Sequence, residues 1–206
     1  MRPEYWEQAC HELAERDAVL ARLLQQYPGE CLEGKGDAFI TLARSIVGQQ
    51  ISVKAAETIW GRLAQRLGEV SSHALLTMAE ADLQACGLSS RKVAYLQDLS
   101  HRHVAGQLSV RDWLDRDDEA VIAELITIKG IGRWTAEMFL IFHLLRPNVL
   151  PLDDIGLQRA MAQFYNHGDP ISKLKMREIA RALWQPWSSV ATWYLWRSLD
   201  PLPVAY

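Results

Sequence analysis

Cysteine is scarce in this chain: Cys10, Cys31 and Cys86 are the only three, and no two of them form a CxxC pair. That spacing excludes a zinc ribbon or a disulfide scaffold, and predicts reduced, buried thiols in a cytosolic protein. Long apolar runs are missing too. The longest, Met138 to Leu145 with His143 inside it, is far too short to span a bilayer. The opening MRPEYWEQ has no apolar h-region, so the protein is expected to be soluble and unprocessed, with no membrane partner. None of the six His lies at i, i+4 from another His or a Cys, which argues against a transition-metal site. There is no excess of positive charge: the formal net charge is −3. A nucleic-acid partner would therefore need a local basic face, for which Lys54, Arg91, Lys92, Lys129, Arg133 and Arg159 are the candidates. Alternating strand patterns, internal repeats and low-complexity segments are also lacking, which leaves an all-α chain.

What is present is apolar residues at helical spacing, punctuated by caps. The stretch from Glu4 to Tyr27 reads as one docking helix ended by Pro28 and Gly29. Asp37 is placed to cap a helix over Ala38 to Val47, Gly48 to Gln50 break the pattern, and Ser52 caps a helix whose apolar stripe is Val53, Ala56, Ile59, Trp60, Leu63 and Leu67. Short helices follow over Ser72 to Ala79 and Ala81 to Cys86. A longer one starts at Ser90 with Val93, Leu96, Leu99 and Val104 inward. Beyond Asp154 the spacing predicts helices to Tyr165, from Ser172 to Trp184 and from Ser188 to Leu199. Of the eight Trp, Trp60, Trp113 and Trp184 are expected in the core.

The stretch from Glu119 to Arg159 is the most informative. Val121, Ile122, Leu125 and Ile128 carry a helical stripe, the run Lys129, Gly130, Ile131, Gly132 interrupts it, and Thr135, Ala136, Phe139, Leu140 and Leu144 resume it. Two glycines permit positive φ and close approach of a partner to the backbone. The amides from Gly130 to Arg133 then lie at a helix N-terminus, which favours an anion. Taken alone, such a turn reads as an ordinary αα-hairpin. Shortly after it come Pro151, Leu152, Asp153 and Asp154, two carboxylates where the next helix begins. Either could cap that helix, and either could act on a developing positive charge.

The runs LITIKGIGRWTAEMFLIF and VLPLDDIGLQRA together resemble the helix-hairpin-helix, Gly/Pro-rich loop and acidic pair of the base-excision DNA glycosylases, most closely the DNA-3-methyladenine glycosylase II type. ARSIVGQQISVKAA from Ala43 and PWSSVATWYLWR from Pro186 match the same family, so four motifs in order cover about Phe39 to Arg197. The resemblance implies two helical lobes, residues 37–146 and residues 1–36 plus 147–206, with a DNA-binding cleft between them faced by Asp154. It implies a compact form without the N-terminal β-domain of the best-known type.

By the same resemblance Asp154 is the catalytic carboxylate. Asp153 is then the cap or a supporting residue beside the substrate pocket, to which Trp134 and Met138 also belong. An aromatic is usual at the position of Met138. Gln49, Gln50, Ser52, Lys129, Gly130, Ile131, Gly132, Arg133 and Thr135 are placed on the DNA, with Gln50 filling the gap left by a flipped nucleotide. Related enzymes that also cut the backbone carry a Lys where this chain has Trp134, and some carry a four-Cys iron–sulfur cluster. Neither is present here, so a monofunctional, hydrolytic enzyme is implied. No cofactor is needed for the chemistry. A structural Na or K ion would be held by the carbonyls of Ile126, Ile128 and Ile131, although Lys129 stands where the family usually has Pro.

The expected activity is excision of alkylated purines such as 3-methyladenine from double-stranded DNA, by a monomer in a bacterial-type cytoplasm at the nucleoid. Two rivals stand beside it: a glycosylase for neutral damaged or mismatched bases, and a helix-hairpin-helix DNA-binding module without catalysis. The second would need no carboxylate after the hairpin.

Overall fold

The computed structural model describes residues 2–34, 36–108 and 110–199, with the side chains of Val53, Val110 and Arg111 left aside. Among these residues there are helices and turns but no strand, as the pattern predicts. The helices are α1 (Trp6–Arg16), α2 (Ala18–Gln26), α3 (Ala38–Gly48), α4 (Val53–Leu67), α5 (Ser72–Thr77), α6 (Glu80–Ala85), α7 (Ser90–Val104), α8 (Val110–Trp113), α9 (Asp118–Leu125), α10 (Arg133–Phe142), α11 (Ile155–Tyr165), α12 (Lys173–Ile179) and α13 (Ser188–Leu199). They form two compact units, residues 36–139 and residues 2–34 with 140–199, and the division falls inside α10.

In the unit of residues 36–139, α7 is the central helix, packed against α3, α5 and α6. Its Val93, Leu96 and Leu99 are buried, together with Leu42 and Ile46 from α3 and Leu63 from α4. Trp113 is fully buried edge-on against Phe139. Asp37, Ser52, Ser71, Ser89 and Asp117 each accept an amide of the helix they precede, so the local capping code operates at these helix starts. Val104, expected inward, is 58% exposed. It sits in the last turn of α7, beyond the helices that cover the rest of that face.

The other unit is built on α13, whose residues from Ser188 to Trp196 are all buried among α1, α2 and α11. The single helix expected from Glu4 to Tyr27 is instead two. Asp17 has extended backbone and caps α2 through Val19 N and Leu20 N. Its other oxygen accepts from Tyr165 Oη at 2.7 Å and Trp184 Nε1 at 2.9 Å. A carboxylate 4% exposed with four donors is worth more there than one continuous ladder of helix bonds, so the chain bends to supply it. The predicted helix from Ser172 to Trp184 also changes character, closing with a π-helical turn over Ala180–Trp184. Pro186 follows that turn through a cis peptide bond.

Candidate DNA interface and catalytic carboxylate

The hairpin lies between α9 and α10 in the unit of residues 36–139. Leu125 O and Ile128 O accept the amides of Ile128 and Ile131, closing two tight turns. The two glycines differ. Gly130 has φ +83, and a Cβ there would lie 2.2 Å from the ring of Tyr95, so this position requires glycine twice over. Gly132, expected to share the positive φ, does not, and a Cβ there would meet nothing within 4 Å. Nothing among the described residues explains its missing side chain. Its surface is exposed at the start of α10, where amides point outward.

Neighbouring side chains fasten this turn. Asp98 Oδ2 on α7 accepts Lys129 N at 3.0 Å and Arg102 Nε at 3.0 Å. Arg102 in turn donates to Thr127 O at 2.9 Å. Burial alone would raise the Asp98 carboxyl, but the Lys129 amide and the Arg102 guanidinium outweigh it and hold it below the usual range. A proline at 129 could not make the amide bond, so Lys129 does change how the turn is held. Its ammonium is largely exposed, 3.8 Å from Asp98.

The basic residues proposed for phosphate are unequally disposed. Arg133 is engaged by Glu119 on both terminal nitrogens and by Glu137 at 3.0 Å. The Glu119 hydrogen bond, with both carboxylate charges, pushes its pKa up further. Lys92 Nζ donates to Val47 O at 2.7 Å and Gln49 O at 2.8 Å, which places it on the protein rather than on a ligand. Lys54, Arg91 and Arg159 are exposed. Gln49 donates its amide to Gly130 O at 2.8 Å, Ser52 caps α4, and Gln50 is exposed with φ +60. Trp134 is half-buried, while Thr135, Met138 and Ile131 are buried. Ile128 is buried and Ile126 is 49% exposed.

In the other unit, the loop before α11 presents the acidic pair. Asp154 is the cap: its Oδ1 accepts Leu157 N at 2.6 Å and Trp196 Nε1 at 2.7 Å, and the residue is 7% exposed. Asp153, expected as the cap, instead points to an exposed ion pair with Lys173. The loop is braced from both sides. Gln158 donates to Leu152 O at 2.7 Å, and Ser189 bonds both Val149 N and Arg146 O. The serines of PWSSVATWYLWR thus hold the segment that leads to Asp154. Trp196 was not singled out from the sequence. Its only signal there was membership of that same motif, since one indole among eight Trp carries no positional cue.

The site residues are thus a buried carboxylate in one unit and an exposed glycine turn at a helix N-terminus in the other. Residues 43–186 match the family described as HhH-GPD superfamily base excision DNA repair protein. A Bacillus subtilis protein that bears the provisional name of a DNA-3-methyladenine glycosylase is 32% identical over 88% of this chain, which spans 66% of that protein's length. Among solved structures, a DNA-3-methyladenine glycosidase of Bacillus halodurans superposes with a TM-score of 0.82 at 33% identity, covering 92% of this chain and 88% of the other. The Schizosaccharomyces pombe 3-methyladenine DNA glycosylase bound to abasic DNA superposes with a TM-score of 0.81 at 27% identity, covering 97% and 100%.

Proposed function

Since the chain belongs to the HhH-GPD superfamily of base excision DNA repair proteins, we infer that it is a monofunctional DNA glycosylase that hydrolyses the bond between deoxyribose and an alkylated purine such as 3-methyladenine. The observation that carries this reading is Asp154, a buried carboxylate whose orientation is set by Leu157 N and Trp196 Nε1. A DNA-binding module without catalysis has no need of it.

A target base inside a duplex is out of reach until it is flipped out, at a cost of a few kcal/mol. Phosphate is held by amides of the turn from Gly130 to Arg133, other than Ile131 N, which donates to Ile128 O. Departure of the base leaves an oxocarbenium-like sugar, which the Asp154 carboxylate stabilises while it orients the attacking water. An N3- or N7-alkylated purine is already cationic and leaves as a neutral base, so no general acid is required. The face of Trp134 attracts a cationic ring by roughly 0.5 to 2 kcal/mol. Since 1.4 kcal/mol is only about tenfold, the weakened glycosidic bond of the alkylated base supplies the rest of the selectivity. With Trp134 where a Schiff-base Lys would stand, there is no amine to attack the sugar at that position.

A Na or K ion at the hairpin would be held by the carbonyls of Ile126, Ile128 and Ile131. The donor set suits it: Ile128 O, although it accepts Ile131 N at 3.0 Å, keeps a second lone pair. Such an ion would be structural, its charge offsetting that of a phosphate rather than entering the reaction. A DNA substrate of this kind puts the enzyme in the cytoplasm at the nucleoid.

The test is release of free bases from alkylated duplex DNA. 3-Methyladenine and 7-methylguanine are expected ahead of hypoxanthine, with uracil and 8-oxoguanine poor or inert, and borohydride should trap no covalent complex. Asp154→Asn keeps the cap and the indole bond but removes the anion. Excision should fall by at least about a hundredfold while duplex binding persists. Faster removal of uracil or 8-oxoguanine than of 3-methyladenine, or near-normal excision by Asp154→Asn, would overturn the reading.

A further inference from the structure

Helix α7 presents Lys92, Tyr95, Asp98 and Arg102 at spacings of three, three and four residues, which is one face of a helix. That face touches two exposed turns of its unit. Tyr95, Asp98 and Arg102 hold the hairpin through Gly130, Lys129 N and Thr127 O. Lys92 holds the other turn, its ammonium accepted by Val47 O and Gln49 O at the C-terminus of α3. A direct tie completes the circuit: Gln49 Nε2 donates to Gly130 O at 2.8 Å.

Gln50 sits at the free end of this arrangement. It is exposed, and its φ of +60 is a left-handed conformation that a non-glycine residue keeps only when its surroundings hold it there. Two contacts supply that hold. The ammonium of Lys92 binds the carbonyl of the residue just before Gln50, and the Gln49 side chain anchors that same residue to the hairpin. Helix C-terminal carbonyls attract a cation, so a neutral side chain could not replace Lys92.

We propose that Lys92 and Gln49 are positioning residues that lock Gln50 in its left-handed conformation and in register with the hairpin, so that duplex opening at Gln50 and phosphate capture at the hairpin occur as one event. The proposal rests on the glycosylase reading and on Gln50 as the residue that enters the duplex. It removes Lys92 from the set of phosphate ligands and gives it a different task.

The experiment compares excision of 3-methyladenine from duplex and single-stranded DNA, and in parallel the fluorescence of 2-aminopurine beside an abasic site in duplex when protein binds. Lys92→Met retains the aliphatic stem and loses the ammonium. It should lower the duplex-to-single-strand excision ratio by about tenfold, the scale of one charged hydrogen bond, and lower the fluorescence response. The double variant with Gln50→Ala should lose no more of that ratio than Gln50→Ala alone, because both act through one side chain. Gln49→Ala, which leaves the ammonium in place, should show the same signature and serves if Lys92→Met does not fold. Equal losses on both substrates, additive losses in the double variant, or an unchanged ratio in Gln49→Ala would each overturn the proposal. The two readings fail separately. Wild-type protein that excises nothing but gives a Lys92-dependent fluorescence response would sink the glycosylase reading alone, and normal excision with a Lys92-independent ratio would sink the positioning role alone.

Discussion

Many helices begin with a carboxylate, but the two donors on Asp154 Oδ1 are themselves held in place. Leu157 N belongs to α11, and Trp196 Nε1 belongs to a ring stacked on Phe142 at 5.9 Å. Gly156 makes room for both: a Cβ there would lie 3.1 Å from Asp154 Oδ1 and 3.2 Å from Trp196 Cδ1. This bracing separates orientation from presence. Trp196→Phe retains a stacked ring and removes the N–H, and a hydrogen bond to a charged group contributes about 1.5 to 3 kcal/mol. Single-turnover release of 3-methyladenine should slow by roughly ten- to a hundredfold, with duplex affinity unchanged. Lost affinity at an unchanged rate would make Trp196 a packing residue only.

Among elements, the hairpin separates two reasons for a glycine. Gly130→Ala places a Cβ against Tyr95 at 2.2 Å and forces φ +83 on an alanine, which costs about 1 to 2 kcal/mol from the backbone alone. The thermal midpoint should drop clearly. Gly132→Ala meets open space and no positive φ, so stability should change by less than about 1 kcal/mol. Duplex binding should nonetheless weaken if phosphate approaches there, and titrating both variants with duplex DNA distinguishes the two roles.

Hairpin fastening is also acid-sensitive. In the folded state Asp98 titrates below its ordinary value, because the amide and guanidinium bonds outweigh burial. The stabilisation is therefore complete above the unfolded carboxylate value of about 3.9 and is lost as pH falls through the lower folded value. Amide exchange of Lys129 should accelerate sharply, relative to the core of α7, only in that acid range. Asp98→Asn should be loose at neutral pH and lack the acid step.

For the whole molecule, the net charge of −3 matters together with where the cations point. Arg133 is engaged by Glu119 and Glu137, Lys92 by carbonyls, and Lys129 lies beside Asp98, whereas Lys54, Arg91 and Arg159 are exposed. Few phosphates are then neutralised by side chains, and backbone amides carry more of the contact. The slope of log affinity against log salt should be shallow, no steeper than about −3, given about −0.9 per phosphate neutralised on duplex DNA. Lys54→Ala or Arg91→Ala should each reduce it by about one. A slope near −6 would mean that the internally paired cations release their partners on binding.

Local chemistry determined the helical class, several of the caps and the glycine turn, because a cap or a turn depends on residues three or four apart. Asp37, Ser52 and Gly130 needed no distant partner to be recognised, and four motifs in order were enough to indicate the family. What the tertiary structure decided involves residues far apart in sequence. Asp17 breaks the first helix because Tyr165 and Trp184 need its second oxygen, and no window around residue 17 contains them. Asp154 rather than Asp153 takes the cap and the indole of Trp196, a choice the adjacent pair leaves open. Lys92 faces the end of α3 instead of solvent, although by composition it is one more basic residue. The reason is common to all three: a carboxylate or an ammonium withdrawn from water must find partners, and which partners come within 3 Å is settled only when the helices have packed.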